Sequence, residues 1–335
     1  MSIPAPAIEA HGLVKTYATR GRPPVHALSG VSFSTGTGAV FGLLGPNGAG
    51  KSTTVKILTT LSRADAGTAR VVGLDVGTDP AQVRRRIGYV AQRPVTDPMA
   101  TGRENLVLAG RLHGLGRHDA RVRAAALLER FDLGAAADRL VRTYSGGMAR
   151  KLDVAMGLVH TPQVLFLDEP TTGLDPEARA EMWAEIEHMT RTEQMTVLLT
   201  THYLDEADRL ADQLAIVDRG RVVAAGTPSA LKDSLRGDSV VVELVDETAA
   251  GQAAQIAERI GTLRQITAEG QVLRARASAQ SATVLPELLA ALESAAVRVT
   301  AATLARPSLD DVYLSITGRA FQAGDTTQES AEVAA

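Results

Sequence analysis

Short, almost wholly apolar runs recur along the first two thirds of the chain. The sequence reads AVFGLL from Ala39 to Leu44, VLFL from Val164 to Leu167 and TVLL from Thr196 to Leu199. Runs of this length are typical of parallel strands that neighbouring elements cover on both faces. A glycine-rich turn and a helical spacing of apolar residues follow the first run. The pattern predicts an α/β domain with a parallel sheet, and ligands bind to such sheets at the carboxyl ends of the strands.

The stretches between and after these runs predict further elements. From roughly Arg84 to Lys151 the spacing predicts a helical insert, with apolar clusters at Leu106, Leu108, Leu112, Leu127, Leu128 and Phe131. We expect a helical subdomain over about residues 90–160. After the last run, AIVDRGRVVAAG predicts a hairpin that turns at Asp218 to Gly220, and a short helix follows.

The pattern changes near Leu235 to Asp238, where we place a boundary between residues 1–235 and residues 236–320. The order strand, helix, strand, strand, helix, strand then predicts a small α+β domain of the ferredoxin-like type. A last helix has Ser308 and Asp311 as reciprocal caps and an apolar stripe formed by Leu309, Val312, Tyr313 and Ile316. We interpret the stripe either as a dimer or partner contact or as part of a self-contained core. The tail, residues 321–335, is predicted to be disordered.

Composition narrows the classes of function. Charges nearly cancel, with 35 Lys plus Arg against 38 Asp plus Glu, so we expect no nucleic-acid partner. The chain has no Cys, which excludes disulfides and zinc–cysteine sites. The first residues do not have the pattern of a signal peptide, and no apolar run approaches the roughly 20 residues of a membrane helix. We therefore expect a chain that is soluble on its own.

A phosphate-binding loop follows the first strand. GPNGAGKS fits the pattern GxxxxGK[S/T] and lies between a predicted strand and a predicted helix. In such loops backbone N–H groups bind phosphate oxygens, a lysine reaches the β and γ phosphates, and a hydroxyl binds Mg²⁺. The alternative is a glycine-rich turn with an unrelated Lys. The pattern predicts that ATP contacts Gly45, Pro46, Asn47, Gly48, Ala49, Gly50, Lys51, Ser52 and Thr53, with Ser52 also binding Mg²⁺.

Two adjacent carboxylates, Asp168 and Glu169, end the second apolar run. Successive strand side chains diverge at a strand end, so Asp168 is predicted to bind Mg²⁺ and Glu169 to face the γ phosphate as general base. The alternative is an exposed acidic strand end. Beside a phosphate loop, we favour the catalytic interpretation, with Glu169 and Lys51 as catalytic residues.

A second predicted helix N-terminus that could bind an anion, besides that of the phosphate loop, lies at Ser145-Gly146-Gly147. Ser145 is predicted to cap the helix, and the two glycines leave backbone that another group can approach. A plain helix cap is the alternative. Because one ATP already has its loop, a second anion-binding helix start predicts a dimer that shares ATP across its interface.

The sequence YSGGMARKLD resembles the signature motif of ABC-type ATPases, and the other motifs occur in the order typical of that family. The resemblance covers roughly Ile8 to Leu231 and implies a P-loop NTPase domain that binds ATP and Mg²⁺. It also implies roles for single residues. Tyr17 in KTYATRG stacks on adenine, Gln92 in YVAQRP binds Mg²⁺ and faces the membrane partner, and His202 in TTHYLDEAD is catalytic at the γ phosphate. Asp175 in LDEPTTGLDP communicates across the dimer, and Ser145 and Gly147 close over ATP held by the other subunit.

Within that family, TGRENL from Thr101, LVHTPQVLFLDEPTTGLDP and the ending SLDDVYLSITGR look most similar to ATPases of the daunorubicin-resistance type of drug exporter. The similarity implies a homodimer, a separate integral membrane permease, a place at the cytoplasmic face of the cell membrane, and efflux of a hydrophobic drug or antibiotic. Export of lipid or polysaccharide precursors stays open. A soluble ABC ATPase acting on nucleic acid or ribosomes usually has two ATPase units or a long coiled coil, and a phosphate-loop kinase would lack the signature motif.

Overall fold

The computed structural model describes residues 5–18, 21, 23–235, 237–277 and 283–318. These residues pack as two compact units, of which the first ends at Pro228 and the second begins at Ser229. The predicted boundary after Leu235 lies a few residues later along the chain. The predicted disordered tail, residues 321–335, falls outside the described residues.

The first unit combines strands with the helices that connect them. Its strands are β1 (Ile8–Tyr17), β2 (Val25–Thr35), β3 (Val40–Leu44), β4 (Ala66–Val71), β5 (Leu74–Asp75), β6 (Ile87–Val90), β7 (Val164–Asp168), β8 (Thr196–Thr201), β9 (Gln213–Asp218) and β10 (Arg221–Gly226). Its helices are α1 (Lys51–Leu58), α2 (Pro80–Arg86), α3 (Gly102–Leu112), α4 (Arg117–Arg130), α5 (Gly146–Gly157), α6 (Pro176–Arg191) and α7 (Leu204–Leu210).

The three apolar runs form the centre of one sheet. The sheet has the order β10-β9-β3-β8-β7-β6, and β9, β3, β8, β7 and β6 pair in parallel. Every residue of β3, β7 and β8 is buried. The prediction of buried parallel strands is confirmed, and the carboxyl ends of β3, β7 and β8 therefore meet at one edge. A second, antiparallel sheet has the order β2-β1-β4-β5, and the sequence pattern did not predict it.

Helices α3, α4 and α5 fill the segment between β6 and β7, as the helical insert predicted. The prediction was wrong for Ile87–Val90, which form strand β6 inside the stretch read as helical. Ile87 pairs in register with Val164 of β7, so a long-range strand partner decides the conformation of these four residues. No periodicity within the segment itself records that partner.

The second unit confirms the ferredoxin-like prediction. Its elements are α8 (Pro228–Asp233), β11 (Ser239–Leu244), α9 (Ala250–Arg259), β12 (Leu263–Glu269), β13 (Val272–Ala277), α10 (Val284–Ser294), β14 (Val299–Ala305) and α11 (Leu309–Thr317). The sheet order is β12-β13-β11-β14, and all neighbours are antiparallel.

Helix α11 begins with the predicted reciprocal cap. Ser308 Oγ accepts from the Asp311 N–H at 3.2 Å, and Asp311 Oδ2 accepts from the Ser308 N–H at 2.9 Å. Leu309, Val312 and Tyr313 are buried, whereas Ile316 is exposed. The structure thus favours a core contact for most of the apolar stripe.

Among the described residues, no helix is both long enough and apolar enough to cross a bilayer.

Candidate active site

The phosphate loop, residues 45–50, joins the end of β3 to the start of α1, and strand β2 and the turn between β9 and β10 contact it. Gly50 has φ 109°, and a Cβ at this position would lie 2.6 Å from Ala27 O, so only glycine fits. The Gly220 N–H, in the turn between β9 and β10, donates to Ala49 O at 2.9 Å, and Gly220 O accepts from the Ser29 N–H at 2.8 Å. Strand β2 and the β9–β10 turn therefore fix the shape of the loop, with the N-terminus of α1 at its end.

Lys51, the first residue of α1, lies inside the loop. Its side chain is 4% exposed, and Nζ donates to Gly45 O at 2.8 Å and to Pro46 O at 3.2 Å. Nζ also lies 3.4 Å from Glu169 Oε1. The buried ammonium group of Lys51 therefore lies between the carbonyl oxygens of the loop and a buried carboxylate, at the place where the loop would bind phosphate.

Asp168, the last residue of β7, faces α1 across the sheet edge. Its Oδ1 accepts from Ser52 Oγ at 3.1 Å and from Thr200 Oγ1 at 2.6 Å. Burial raises the pKa of Asp168, while the hydrogen bonds from Thr200 and Ser52 oppose that rise. A hydroxyl and a carboxylate side by side are oxygen ligands of the kind that Mg²⁺ prefers.

Ser52 and Asp168 offer two side-chain oxygen ligands to a metal ion. The described residues contain no group of three His, Cys, Asp or Glu side chains placed to hold a metal ion. A Mg²⁺ ion at Ser52 and Asp168 would therefore complete its coordination with phosphate oxygens and water, as Mg²⁺ does in phosphate-loop proteins.

The backbone of Glu169 turns sharply at the end of β7. Its φ is 48°, in the left-handed region, which non-glycine residues adopt rarely. The Glu169 N–H donates to Thr200 Oγ1 at 3.0 Å, and the same hydroxyl donates to Asp168 Oδ1. The turn separates the two carboxylates, so that Asp168 faces Ser52 and Glu169 faces the other groups of the site.

The Glu169 carboxylate lies at the centre of a cluster of site residues. Its Oε2 lies 3.0 Å from His202 Nδ1, accepts from Gln92 Nε2 at 3.1 Å and accepts from Thr172 Oγ1 at 3.3 Å. Burial would raise the pKa of Glu169, but His202 and Lys51 outweigh burial and hold the pKa below its ordinary value. The carboxylate is therefore ionised near neutral pH and able to accept a proton.

Arg150 of α5 donates hydrogen bonds to the backbone that carries this cluster, and the sequence analysis did not identify it as a site residue. The side chain is 6% exposed, and its guanidinium group donates to four carbonyl oxygens: Ala91 O at 2.6 Å, Pro170 O at 2.8 Å, Asp168 O at 3.1 Å and Glu169 O at 3.3 Å. One side chain thereby joins α5 to the segment before Gln92 and to the end of β7. The helical spacing of Gly147, Arg150 and Val154 places Arg150 on the buried face of α5 and is the signal that would have identified it.

Other predicted site residues have different partners. Ser145 caps α5 by accepting from the Met148 N–H at 3.2 Å, and Asp175 caps α6 by accepting from the Ala178 N–H at 2.8 Å. Tyr17, at the end of β1, is 39% exposed. Among the described residues, no hydrogen bond or ion pair joins Ser145, Asp175 or Tyr17 to the residues around Glu169. The structure thus brings together Lys51, Ser52, Gln92, Asp168, Glu169 and His202.

Comparison with protein-family models gives two matches. The model described as ABC transporter matches residues 28–172, and the model described as ATP-binding protein DrrA1-3-like, C-terminal domain, matches residues 226–317.

Curated proteins resemble the chain over nearly its whole length. The daunorubicin/doxorubicin resistance ATP-binding protein DrrA of Streptomyces peucetius is 46% identical over 332 residues, which cover 98% of this chain and 97% of the relative. The daunorubicin resistance ATP-binding protein DrrA2 of Streptomyces coeruleorubidus is 44% identical over 312 residues, 93% of this chain and 95% of the relative. A solved structure described as the ATP-binding subunit of an ABC transporter has a TM-score of 0.59 at 29% identity and covers 68% of this chain and 92% of its own.

Proposed function

The chain belongs to the family of ABC transporter ATP-binding proteins, and on that premise we propose that it works as a homodimer that powers a separate membrane permease for efflux of a hydrophobic drug or antibiotic. Proteins of this family bind ATP and hydrolyse it to drive transport. The observation that carries the proposed ATP hydrolysis is the cluster around Glu169, which puts an ionised carboxylate beside Lys51, Gln92 and His202.

Glu169 is the general base in the proposed reaction. Its carboxylate accepts the proton of the water that attacks the γ phosphate, and a positioned base of this kind contributes about 10²- to 10⁴-fold in rate. Lys51 binds the β and γ phosphates from inside the loop. Since His202 turns Nδ1 to Glu169, its Nε2 is the ring nitrogen left for the γ phosphate.

We assign the Mg²⁺ ion to Ser52 and Asp168, with Gln92 as a further contact. When bound, the ion neutralises developing charge on the β and γ phosphates. The Thr200 hydroxyl keeps the Asp168 carboxylate in place for this role, because it donates to Oδ1 from the neighbouring strand.

The dimer supplies what one copy does not bring to the site. Ser145 and Gly147 lie at the start of α5, and we assign this helix N-terminus to closure over ATP held by the partner copy. Asp175 caps α6 nearby and is assigned to the same interface.

We propose a groove in the first unit as the contact for the permease. It is lined by large apolar side chains that are 56–78% exposed, namely Leu61, Val95, Leu108 and Leu112, and it encloses about 430 Å³. Exposed apolar patches of this kind mark sites where another protein or a membrane binds. The Val95 N–H donates to Asp153 Oδ1 at 3.2 Å, and Asp153 Oδ2 lies 4.0 Å from Arg150, which donates to the Glu169 carbonyl oxygen. We call these four residues the α3 groove and place the permease there, at the cytoplasmic face of the membrane.

The drug-export assignment rests on the relatives, whose names state resistance to daunorubicin and doxorubicin. Expression of the chain with its permease in a host without drug efflux, followed by cellular doxorubicin fluorescence, tests it. We expect wild type to lower doxorubicin accumulation and Lys51→Ala to abolish the effect. Equal accumulation in both would reject doxorubicin as cargo and direct the search to lipid or polysaccharide precursors.

Replacing Glu169 by Gln tests the proposed chemistry. Gln keeps the shape of the side chain but does not accept a proton, so we expect ATP hydrolysis to fall by about 10²-fold or more while ATP still binds. The variant should accumulate as an ATP-bound dimer in analytical ultracentrifugation. Wild-type turnover in Glu169→Gln would exclude Glu169 as the base.

A further inference from the structure

A fully buried glutamate joins elements that approach the site from different directions. Glu206 of α7 is 0% exposed, and its Oε1 accepts from Thr171 Oγ1 at 2.8 Å and from Trp183 Nε1 at 3.0 Å. Thr171 is also 0% exposed. Burying an acidic side chain costs free energy unless its oxygens accept hydrogen bonds, so these two donors fix where Glu206 lies.

The two donors belong to the segment that leads from the base to the dimer interface. Thr171 lies in the loop between Glu169 and Asp175, and Trp183 lies in α6, which Asp175 caps. Helix α7, which carries Glu206, begins two residues after His202. Glu206 thus connects the loop of Asp175 with the segment of His202.

A second contact runs between the same two elements. The guanidinium carbon of Arg179, in the first turns of α6, lies 4.8 Å from the ring centre of Tyr203. The Tyr203 ring lies 4.2 Å from the His202 ring, at an angle of 40°. Helix α6 therefore contacts the segment of His202 and α7 at two points, through Trp183 with Glu206 and through Arg179 with Tyr203.

The surroundings of Glu206 favour its neutral form. Burial raises its pKa, hydrogen bonds from Thr201, Thr171 and Trp183 oppose the rise, and the charge of Asp205 adds to it. The charge of Arg150 also interacts with Glu206. A glutamine, which is neutral and has an oxygen in the place of Oε1, is therefore a close substitute.

We propose that Glu206 is a positioning residue for ATP hydrolysis, which holds the Asp175 loop and the His202 segment in register so that dimer contact at Asp175 and alignment of His202 occur together. The inference rests on the proposed roles of these two residues. Glu206 itself touches neither of them, and it acts through Thr171, Trp183 and the start of α7.

The test compares the steady-state ATPase of the full chain for wild type, Glu206→Gln, Glu206→Leu and Thr171→Val. Leu removes both hydrogen bonds to Oε1 without leaving a cavity, whereas Gln keeps them. Thr171→Val is nearly isosteric and removes only the link to the Asp175 loop, so it serves if Glu206→Leu does not fold. Misplacing a reacting group by about 1 Å costs up to about 10²-fold, and we expect kcat to fall by about tenfold or more in the Leu and Val variants.

Glu187→Gln is the matched control. Glu187 of α6 contacts Arg209 of α7 at 3.4 Å, and Arg209 also lies 4.9 Å from the ring centre of Trp183. The variant therefore weakens another contact between the same helices and leaves both hydrogen bonds to Glu206 Oε1 in place. We expect its kcat to equal that of wild type. KM for ATP should stay unchanged in all variants, and Glu206→Gln should restore kcat.

The outcomes separate a positioning role from a purely structural one. A fall in kcat at temperatures well below Tm, with unchanged KM and rescue by Gln, supports the proposal. Full kcat in Thr171→Val together with only a lower Tm in Glu206→Leu overturns it. Wild type and Glu169→Gln are measured in parallel to keep the two proposals apart. An inactive wild type refutes the proposed function, whereas an active wild type with an inactive Glu169→Gln leaves the Glu206 variants to decide the role of Glu206.

Discussion

At the scale of single residues, the site depends on how two neighbouring carboxylates are directed apart. The sequence placed Asp168 and Glu169 at the end of a buried strand, and the phosphate loop stood between a strand and a helix. Both features are local, so they were predictable. The left-handed φ of Glu169 and its contacts with Gln92 and His202 depend on residues that are distant along the chain, and no local pattern records them.

Arg150 leads to a prediction at the same scale. A lysine at this position keeps the charge but has one nitrogen in place of three, so it does not reach carbonyls in both the Ala91 and the Asp168–Pro170 segments. We expect Arg150→Lys to lower the free energy of unfolding by about 1–3 kcal/mol and to lower ATPase activity. Chemical denaturation and steady-state assays measure the two effects.

Lys151 offers the control for Arg150. Its side chain forms an ion pair with Glu181 at 2.9 Å, and Glu181 is half exposed. Surface pairs of this kind contribute about 0–1 kcal/mol, so Lys151→Gln should be close to neutral. Equal losses in the two variants would contradict the special role of Arg150.

At the scale of elements, the start of α5 packs closely on the start of α6. A Cβ on Gly147 would lie 2.9 Å from Ala178 Cβ, whereas a Cβ on the adjacent Gly146 would meet nothing within 4 Å. We expect Gly147→Ala to lower stability by about 1–3 kcal/mol through overpacking. Gly146→Ala is the matched control and should be neutral, because the same methyl group points into open space.

The two variants are best compared without nucleotide. Thermal unfolding of the ATP-free protein reports packing within one copy and leaves out closure of the dimer over ATP. Equal Tm values for Gly146→Ala and Gly147→Ala would show that α5 and α6 separate freely, against the geometry described above.

A stacked pair of histidines predicts a dependence of stability on pH. His113, after α3, and His160, after α5, have ring centres 3.7 Å apart at 4°, and His160 Nε2 lies 2.8 Å from Ile87 O. Burial lowers the pKa of both rings below 6.5, and the positive charge of His113 lowers that of His160 further. Folding therefore favours the neutral rings. Their contribution to stability is complete above pH 6.5 and is lost as pH falls below that value, because the unfolded chain then binds more protons.

His113→Phe keeps a ring in the stack and removes one of the two titrating groups. We expect its Tm to fall less than that of wild type between about pH 7.5 and about pH 5.5. His118→Gln, on the exposed face of α4, serves as control and should follow wild type. A steeper loss in His113→Phe than in wild type would refute the assignment.

Elements differed in how well the sequence predicted them. The strands β3, β7 and β8 and the reciprocal cap of α11 were correct, because each has a local signature. Strand β6 was misread, since its partner β7 lies more than 70 residues away along the chain. The antiparallel sheet β2-β1-β4-β5 was not predicted for a different reason: its strands mix buried and exposed positions irregularly and are interrupted by register shifts.

At the scale of the whole molecule, the proposed function requires a contact between the permease and this chain through which ATP hydrolysis drives transport. The α3 groove gives a prediction for that contact. Leu112→Glu puts a charge on the most exposed of its apolar side chains, at 78%, and should reduce co-purification of the permease by tenfold or more while the ATPase of the isolated chain is unchanged. Val122→Glu, on α4 at 56% exposure, is the control.

Equal recovery of the permease with both variants would place its contact elsewhere. The apolar stripe of Leu309, Val312 and Tyr313 is less suitable as the permease contact than the α3 groove. Its side chains are at most 2% exposed and do not reach a partner unless α11 moves.

The support behind the phosphate loop has a kinetic consequence. Because β2 and the Gly220 turn already hold residues 45–50 in shape, an arriving triphosphate does not have to order this part of the chain. Capture of nucleotide by a single copy should therefore be rapid and only weakly dependent on temperature.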